Sequence, residues 1–227
     1  MKIISVNNLD YSLPSIGRIL IDISFQVESG EFIGILGKNG EGKSTLLDLL
    51  LGFRTPRSGS IEILEEDPYL DERKNKQFVS YISQDIEFNG NFTVRQALDF
   101  HRLFYPSYDL ELETKLCSIF KLKSTAKIST LSTGFQRRVQ IISALASRPK
   151  LLLIDEITAV LDPGARDLLF QVLKDYQEQS KATIVMATNV IEDLKDCAHR
   201  ILYLNEGRLS EESPADIQKI FSEKQAS

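Results

Sequence analysis

The chain has 227 residues, which is enough for one large domain or two small ones with a hydrophobic core. Its net charge of −5 argues against nucleic acid as the main partner. No stretch approaches the ~20 consecutive apolar residues that a membrane span needs, and the opening MKIISVNNLDYS lacks the apolar core of a signal peptide. We therefore expect a globular chain that relies on another chain for any membrane crossing. Cys117 and Cys197 have no metal-ligand spacing and are expected to be reduced thiols in the cytosol.

The first third of the chain is predicted to contain several short strands. Residues 19–27 have apolar side chains at every odd position, which predicts a half-buried antiparallel strand with the odd residues facing the core. Pro14 to Gly17 marks the connection before it. Residues 31–36 are predicted to form a buried strand, and a turn at 54–59 precedes another strand at 60–64.

The segment GKNGEGKST, Gly37–Thr45, fits the phosphate-binding pattern G-x-x-x-x-G-K-[ST] at every specified position. Its glycines let the backbone curl and bring N–H groups against phosphate oxygens, Lys43 adds positive charge, and the Ser44 hydroxyl can reach Mg²⁺. A leucine-rich helix at 44–51 points its positive N-terminus at the phosphates. The predicted nucleotide-binding residues are Gly37, Lys38, Asn39, Gly40, Glu41, Gly42, Lys43, Ser44 and Thr45. A chance glycine-rich turn is disfavoured by the strand and helix on either side, and a dinucleotide fold requires a third glycine where the chain has Thr45.

The middle of the chain changes from a strand pattern to a helical one. Residues 78–82 are predicted to form an apolar strand that ends at Ser83 and Gln84, and the charged stretch at 71–74 has the pattern of a solvated helix face. From about 93 to 123 the pattern is helical, with a break at Pro106 and a second helix at 110–120. The apolar positions near helical spacing in the first helix are Val94, Ala97, Leu98, Leu103 and Phe104. We expect one domain over 1–227 with a helical insertion at about 88–130.

The second half of the chain continues the alternation of strands and helices. LSTGFQRR at 131–138 precedes a helix, and 151–154 is a run of four apolar residues that suits a central parallel strand. Another buried strand is predicted at 183–187, then a hairpin across 205–207, and a last helix from Ser213. This alternation predicts an α/β fold.

Two carboxylates follow the apolar run. Asp155 ends a buried strand and is therefore held rigidly, which suits coordination of Mg²⁺. Glu156 comes next and can polarise a water for attack on a γ-phosphate. A solvated strand end is the alternative, which the upstream phosphate loop disfavours.

The order of GKNGEGKST, Gln84, LSTGFQRR, LLLIDE and AVLDP resembles ATP-binding-cassette (ABC) ATPases over about residues 2–209. The LSTG signature is specific to that family. The resemblance implies a phosphate-loop NTPase fold of ABC type: a mixed sheet core, an antiparallel β subdomain and a helical subdomain. It also implies ATP and Mg²⁺ as cofactors, an integral membrane permease and a second ABC ATPase subunit as partners, and a cytoplasmic location on the inner face of the membrane. The helical stretch most resembles subunits of bacterial exporters whose permease is a separate polypeptide.

The resemblance assigns roles to individual residues. Gln84 would reach Mg²⁺ and the attacking water, so the implied metal ligands are Ser44, Gln84 and Asp155. Ser132 and Gly134 would contact the γ-phosphate of ATP held by a second subunit, and Asp162 would lie at the dimer interface. The permease would dock near residues 84–94, which contain Phe88 and Phe92.

The sequence also departs from the family pattern. Thr133 replaces a glycine, Phe135 a glutamine and Ile157 a proline, and the adenine-stacking aromatic position aligns best with Leu13, with Tyr11 nearby. The largest departure is Asn189, where the family has a histidine that contacts the γ-phosphate. The candidate catalytic residues are Glu156, Gln84 and Asn189. Because Asn189 replaces the histidine, we expect slow hydrolysis. The alternatives are a non-transport ABC switch and a regulatory subunit that hydrolyses ATP weakly.

Overall fold

The computed structural model describes residues 1–15, 17–70, 74–85, 87–158 and 161–212. The chain forms two compact units, one from Met1–Asn75 with Thr183–Ser227 and one from Lys76–Ala182. The predicted last helix from Ser213 lies outside the described residues, as does the charged stretch at 71–74 apart from Lys74.

Strands and helices are interspersed along the chain, although not in strict alternation, because three strands open it and three helices follow one another in the middle. The strands are β1 (Lys2–Leu13), β2 (Gly17–Glu28), β3 (Phe32–Leu36), β4 (Ser58–Ile63), β5 (Val79–Ser83), β6 (Leu151–Asp155), β7 (Thr183–Thr188), β8 (Arg200–Asn205) and β9 (Arg208–Glu212). The helices are α1 (Lys43–Leu51), α2 (Val94–Arg102), α3 (Leu110–Ile119), α4 (Thr133–Ala146) and α5 (Pro163–Ser180). The predicted α/β class is confirmed.

The first unit contains an antiparallel sheet in the order β2-β1-β4. The predicted alternation along β2 holds at Ile23, Phe25 and Val27, which are buried, but it is wrong nearer the start, where Leu20 is fully buried. The register with β1 shifts between the pairs Leu9–Ile23 and Tyr11–Leu20. One extra residue on a strand reverses the faces of the side chains beyond it, so this bulge explains the change.

The first unit also contains four neighbouring strands in the order β7-β3-β8-β9. β3 pairs in parallel with both β7 and β8, while β9 returns antiparallel to β8 in the predicted hairpin. All five residues of β3 are buried, as expected for a strand in the middle of a parallel array. The first unit therefore combines an antiparallel sheet with a second set of strands that has both parallel and antiparallel neighbours. β3 leads directly into the phosphate loop.

The second unit is built on the parallel pair β5 and β6 together with helices α2 to α5. α2 begins with a capping box between Thr93 and Gln96. The prediction that Leu103 and Phe104 belong to its apolar face is wrong, because α2 ends at Arg102 and both side chains are exposed. α2 and α3 lie within the range predicted for the helical insertion, whose bounds stay a prediction. No helix in the described ranges is long and apolar enough to span a membrane.

Candidate functional site

The phosphate loop lies between β3 and α1, in the strand–loop–helix context that the motif predicts. Gly42 is the residue before the helix and has φ of +99°, a left-handed conformation that strains any other residue. A Cβ atom at Gly42 would also lie 2.9 Å from Ile19 Cγ2. The backbone path of the loop therefore requires glycine here, for conformation and for space.

Lys43 is held within the loop. Only 4% of the residue is exposed. Its Nζ donates hydrogen bonds to the carbonyl oxygens of Gly37, at 2.9 Å, and Lys38, at 3.0 Å. The loop thus wraps around a buried ammonium group, which is a fixed positive charge available to phosphate oxygens.

The first turn of α1 completes this anion-binding arrangement. Leu46 N donates to Gly42 O at 2.8 Å, four residues earlier in the chain. The N–H groups of residues 43–45 therefore lie at the helix N-terminus, ahead of the i to i−4 hydrogen bonds of the helix. N–H groups in this position, with the helix dipole, favour an anion. Ser44 is exposed, which leaves its hydroxyl accessible at the same helix end.

Two side-chain hydrogen bonds tie the loop to neighbouring segments of the same unit. Asn189 directly follows β7, and its Nδ2 donates to Oδ1 of Asn39 at 2.8 Å. Glu41 Oε2 accepts a hydrogen bond from the backbone N–H of Glu206 at 2.6 Å, in the turn between β8 and β9. The structure therefore brings Asn189 to the loop. The link through Glu206 was not predicted, and the sequence gives no signal for it.

The second unit carries the predicted carboxylates at the end of β6. Asp155 is 6% exposed, and its Oδ2 accepts a hydrogen bond from the Tyr81 hydroxyl at 3.4 Å. Glu156 has φ of +46°, which ends the strand abruptly. A left-handed conformation at a non-glycine residue costs about 1–3 kcal/mol, and such strain clusters at functional sites.

Gln84 lies at the same edge of this pair of strands. β5 pairs in parallel with β6 so that Ser83 lies opposite Asp155, and Gln84 follows directly. The Gln84 side chain is exposed. Gln84 and the two carboxylates therefore lie at the same end of this strand pair.

The signature segment forms the start of α4. Ser132 is the N-cap, and its Oγ accepts from Phe135 N at 3.4 Å. Ser132 is exposed, and Gly134 lies in the first turn. The guanidinium of Arg138 lies 4.3 Å from the centre of the Phe135 ring, which gives this apolar replacement a cation–π contact. Asp162 is the N-cap of α5, and its Oδ1 accepts from Ala165 N at 3.0 Å.

The two candidates for contact with adenine differ in exposure. Tyr11 is buried, and its hydroxyl accepts a hydrogen bond from Arg54 at 3.3 Å. Leu13 is half-buried at the end of β1. Leu13 is thus the more accessible of the two side chains.

The predicted Mg²⁺ ligands have suitable chemistry. Ser44, Gln84 and Asp155 offer hydroxyl, amide and carboxylate oxygens, the hard ligands that Mg²⁺ prefers. Ser44 belongs to the first unit and the other two to the second. Among the described residues there is no cluster of three His, Cys, Asp or Glu side chains that would compete as a metal site.

Comparison with known proteins gives consistent matches. The model of the family described as "ABC transporter" matches residues 20–159. The chain is 32% identical over 198 residues to the Nod factor export ATP-binding protein I of Rhizobium leguminosarum bv. viciae, covering 85% of this chain and 63% of that protein. The chain therefore spans just under two thirds of the length of this relative.

Solved structures share the fold over nearly the whole chain. An ATP-binding subunit of an ABC transporter superposes with a TM-score of 0.85 at 24% identity, covering 97% of this chain and 93% of the other. At this identity the likeness concerns the fold alone. The cbiO1 protein of Clostridium perfringens, part of the ABC transporter complex cbiONQ, has a TM-score of 0.77 at 26% identity, with 99% and 92% coverage. The predicted fold of ABC type is confirmed.

Proposed function

The chain belongs to the ABC transporter family, and we propose that it is the subunit that binds and hydrolyses ATP to power a separate membrane permease in substrate export. The observation that carries this proposal is the phosphate loop. Gly42 holds its left-handed turn, Lys43 places a buried ammonium within it, and Ser44 is exposed at the start of α1. This arrangement suits the β- and γ-phosphates of a nucleotide.

Each of the site residues has its own proposed role in ATP hydrolysis. Lys43 and the N–H groups of the loop bind phosphate oxygens, and Ser44, Gln84 and Asp155 are the proposed ligands of Mg²⁺. When bound, the ion neutralises charge on the phosphates. Glu156 accepts the proton of the attacking water as general base.

A second ABC subunit is the proposed partner in this reaction. Ser132 caps α4 and is exposed, so the positive end of that helix is available to the γ-phosphate of a nucleotide held by the other subunit. Gly134 lies in the same turn, and Asp162 is proposed to lie at the contact between the subunits. Because ATP binds the closed pair better than the open one, binding and hydrolysis drive closing and reopening.

The permease is proposed to dock on the second unit. Phe92 of the predicted docking segment contacts Phe100, whose ring lies 6.0 Å away, and Phe100 contacts Phe104 at 5.3 Å. Phe100, Phe104 and Leu103 are all at least half exposed, so this surface offers apolar area to a partner. We propose that docking there holds the subunit at the cytoplasmic face of the membrane. The word "export" in the name of the Rhizobium relative supports the exporter assignment.

Asn189 favours a second candidate, a subunit that binds ATP but turns it over slowly. Its amide is engaged with Asn39 of the phosphate loop, and it is shorter than the histidine of the family pattern. Such a subunit works as a slow switch, in transport or outside it, or pairs with a different ABC subunit that carries the histidine.

Two measurements test the proposal. Steady-state phosphate release from MgATP is expected from the wild-type chain and is expected to be lost in Glu156→Gln. Equal release by the two proteins contradicts the assignment of Glu156. Affinity purification of the tagged chain from membranes of its own host is expected to recover a multi-span protein. Recovery without any membrane protein favours the non-transport switch.

A further inference from the structure

Arg137 connects the signature helix to the turn that carries Gln84. Arg137 lies on α4, five residues after its N-cap Ser132. Its Nη2 donates to the carbonyl oxygen of Gln84 at 2.6 Å, and its Nη1 donates to the carbonyl oxygen of Ser83 at 2.7 Å. Nη1 also donates to Gln140 Oε1 at 2.7 Å, one turn further along α4. One guanidinium therefore holds two successive backbone carbonyls against the helix.

The other end of α4 is fixed to the same strand. Ser147 caps the C-terminus of α4, and its hydroxyl lies 2.8 Å from that of Ser80 in β5, with both residues buried. α4 is thus attached to β5 near both of its ends. Any shift of the helix start relative to β5 must act on the contact through Arg137.

The segment held by Arg137 is a tight turn. Asp85 N donates to Ser83 Oγ at 3.2 Å, which closes the turn directly after β5. Gln84 is the middle residue of this turn, so the position of its backbone determines where its exposed side chain begins. Arg137 and the Ser83 hydroxyl both hold this backbone.

We propose that Arg137 is a positioning residue, which ties the backbone of Gln84 to the helix that Ser132 caps and so couples the position of one to the other. This inference rests on the proposed function, in which Ser132 contacts nucleotide on a second subunit and Gln84 contacts Mg²⁺ and the attacking water. A nucleotide that moves the start of α4 thereby moves Gln84.

Arginine is suited to this role because its planar fork can serve several acceptors at once. A lysine at this position supplies a compact ammonium group without the planar fork, so it is expected to hold the two carbonyls less firmly. Burial lowers the pKa of Arg137, and within the described part of the chain its Nε is buried without a hydrogen-bond partner. The hydrogen bonds to Ser83, Gln84 and Gln140 offset this desolvation.

The first test measures ATP hydrolysis by the full chain carrying Arg137→Met, Gln84→Ala or both. Arg137→Met is expected to lower kcat by ~10- to 10²-fold, as misplacement of a catalytic group does. KM for ATP is expected to stay within about twofold, because the phosphate loop is untouched. The double variant is expected to be no slower than Gln84→Ala alone, since Arg137 acts through Gln84. The control is Arg148→Met, which breaks an ion pair with Asp109 at the far end of α4.

The second test is independent of hydrolysis. Hydrogen–deuterium exchange of the amide of Asp85, measured without nucleotide, is expected to be about tenfold faster in Arg137→Met, with a smaller increase in Arg137→Lys. Arg137→Lys also replaces the methionine variant if that variant does not fold. Unchanged exchange, or additive losses of kcat in the double variant, overturns the role of Arg137. If the wild-type chain hydrolyses no ATP, the proposed function fails, and the exchange result still decides whether Arg137 holds the turn.

Discussion

His101 makes the stability of the second unit sensitive to pH. It lies on α2, where its ring stacks on Tyr105 at 4.6 Å and meets Phe88 and Tyr108 edge-on at 6.5 and 6.3 Å. Its Nε2 is buried and has no hydrogen-bond partner among the described residues. Burial in these surroundings lowers the pKa of His101 to about 4.

The size of the effect follows from this shift. An unfolded histidine has a pKa of about 6.5, so between pH 6.5 and pH 4 the unfolded chain binds the proton and the folded chain does not. The neutral imidazole thus supports the full stability above pH 6.5, and stability is lost as the pH falls through this window. At 1.36 kcal/mol for each pKa unit, the unfolding free energy should fall by about 2 kcal/mol from this group between pH 7 and pH 5.

Urea unfolding at pH 7 and pH 5 tests this prediction in the wild type and in His101→Phe. The chain has no tryptophan, so circular dichroism is the suitable signal. Phenylalanine keeps the aromatic contacts and removes the titrating imidazole. The decrease in unfolding free energy between the two pH values is therefore expected to be about 2 kcal/mol smaller in the variant. Tyr105→Phe keeps the imidazole of His101, so its unfolding free energy should fall as much between the two pH values as that of the wild type. Equal losses in wild type and His101→Phe would refute the reasoning.

Three further predictions concern the proposed function. Asn189→His is expected to raise the rate of phosphate release by up to ~10²- to 10³-fold, which is the effect of one preorganised donor, with little change in ATP affinity. If the wild type already hydrolyses ATP rapidly and the variant has an equal or lower rate, this prediction is wrong. Glu156→Gln is expected to accumulate ATP-bound dimers in size-exclusion chromatography with MgATP, and a strictly monomeric profile counts against the ATP sandwich. Single cysteines at Glu87 or Asn91, in a chain without its natural cysteines, are expected to cross-link to the permease, and capture only from Lys174 rules out the docking assignment.

The sequence predicts the phosphate loop well because its chemistry is local. The left-handed turn at Gly42, the buried Lys43 and the N-cap at Ser132 each depend on residues close in the chain. β3 and β6 were likewise predicted, because fully apolar runs have few alternatives to a buried strand.

The features that the sequence did not predict depend on contacts between distant residues. The bulge in β2 is set by its register with β1, which no pattern within 19–27 reveals. The link from Glu41 to the N–H of Glu206 joins residues 165 positions apart. In the sequence Arg137 stands out only as part of LSTGFQRR, because its partners Ser83 and Gln84 lie at a strand end more than fifty residues earlier.

Calorimetric titration of MgATP into the wild-type chain and into Lys43→Ala tests the central claim most directly. The claim predicts that the wild type binds ATP and that Lys43→Ala binds it weakly or not at all, because a charge-assisted contact to phosphate is lost. Lys174→Ala, which removes an exposed lysine from α5, is expected to bind like the wild type. Equal affinity for ATP in the wild type and Lys43→Ala would contradict the assignment of the phosphate loop, and with it the proposed function.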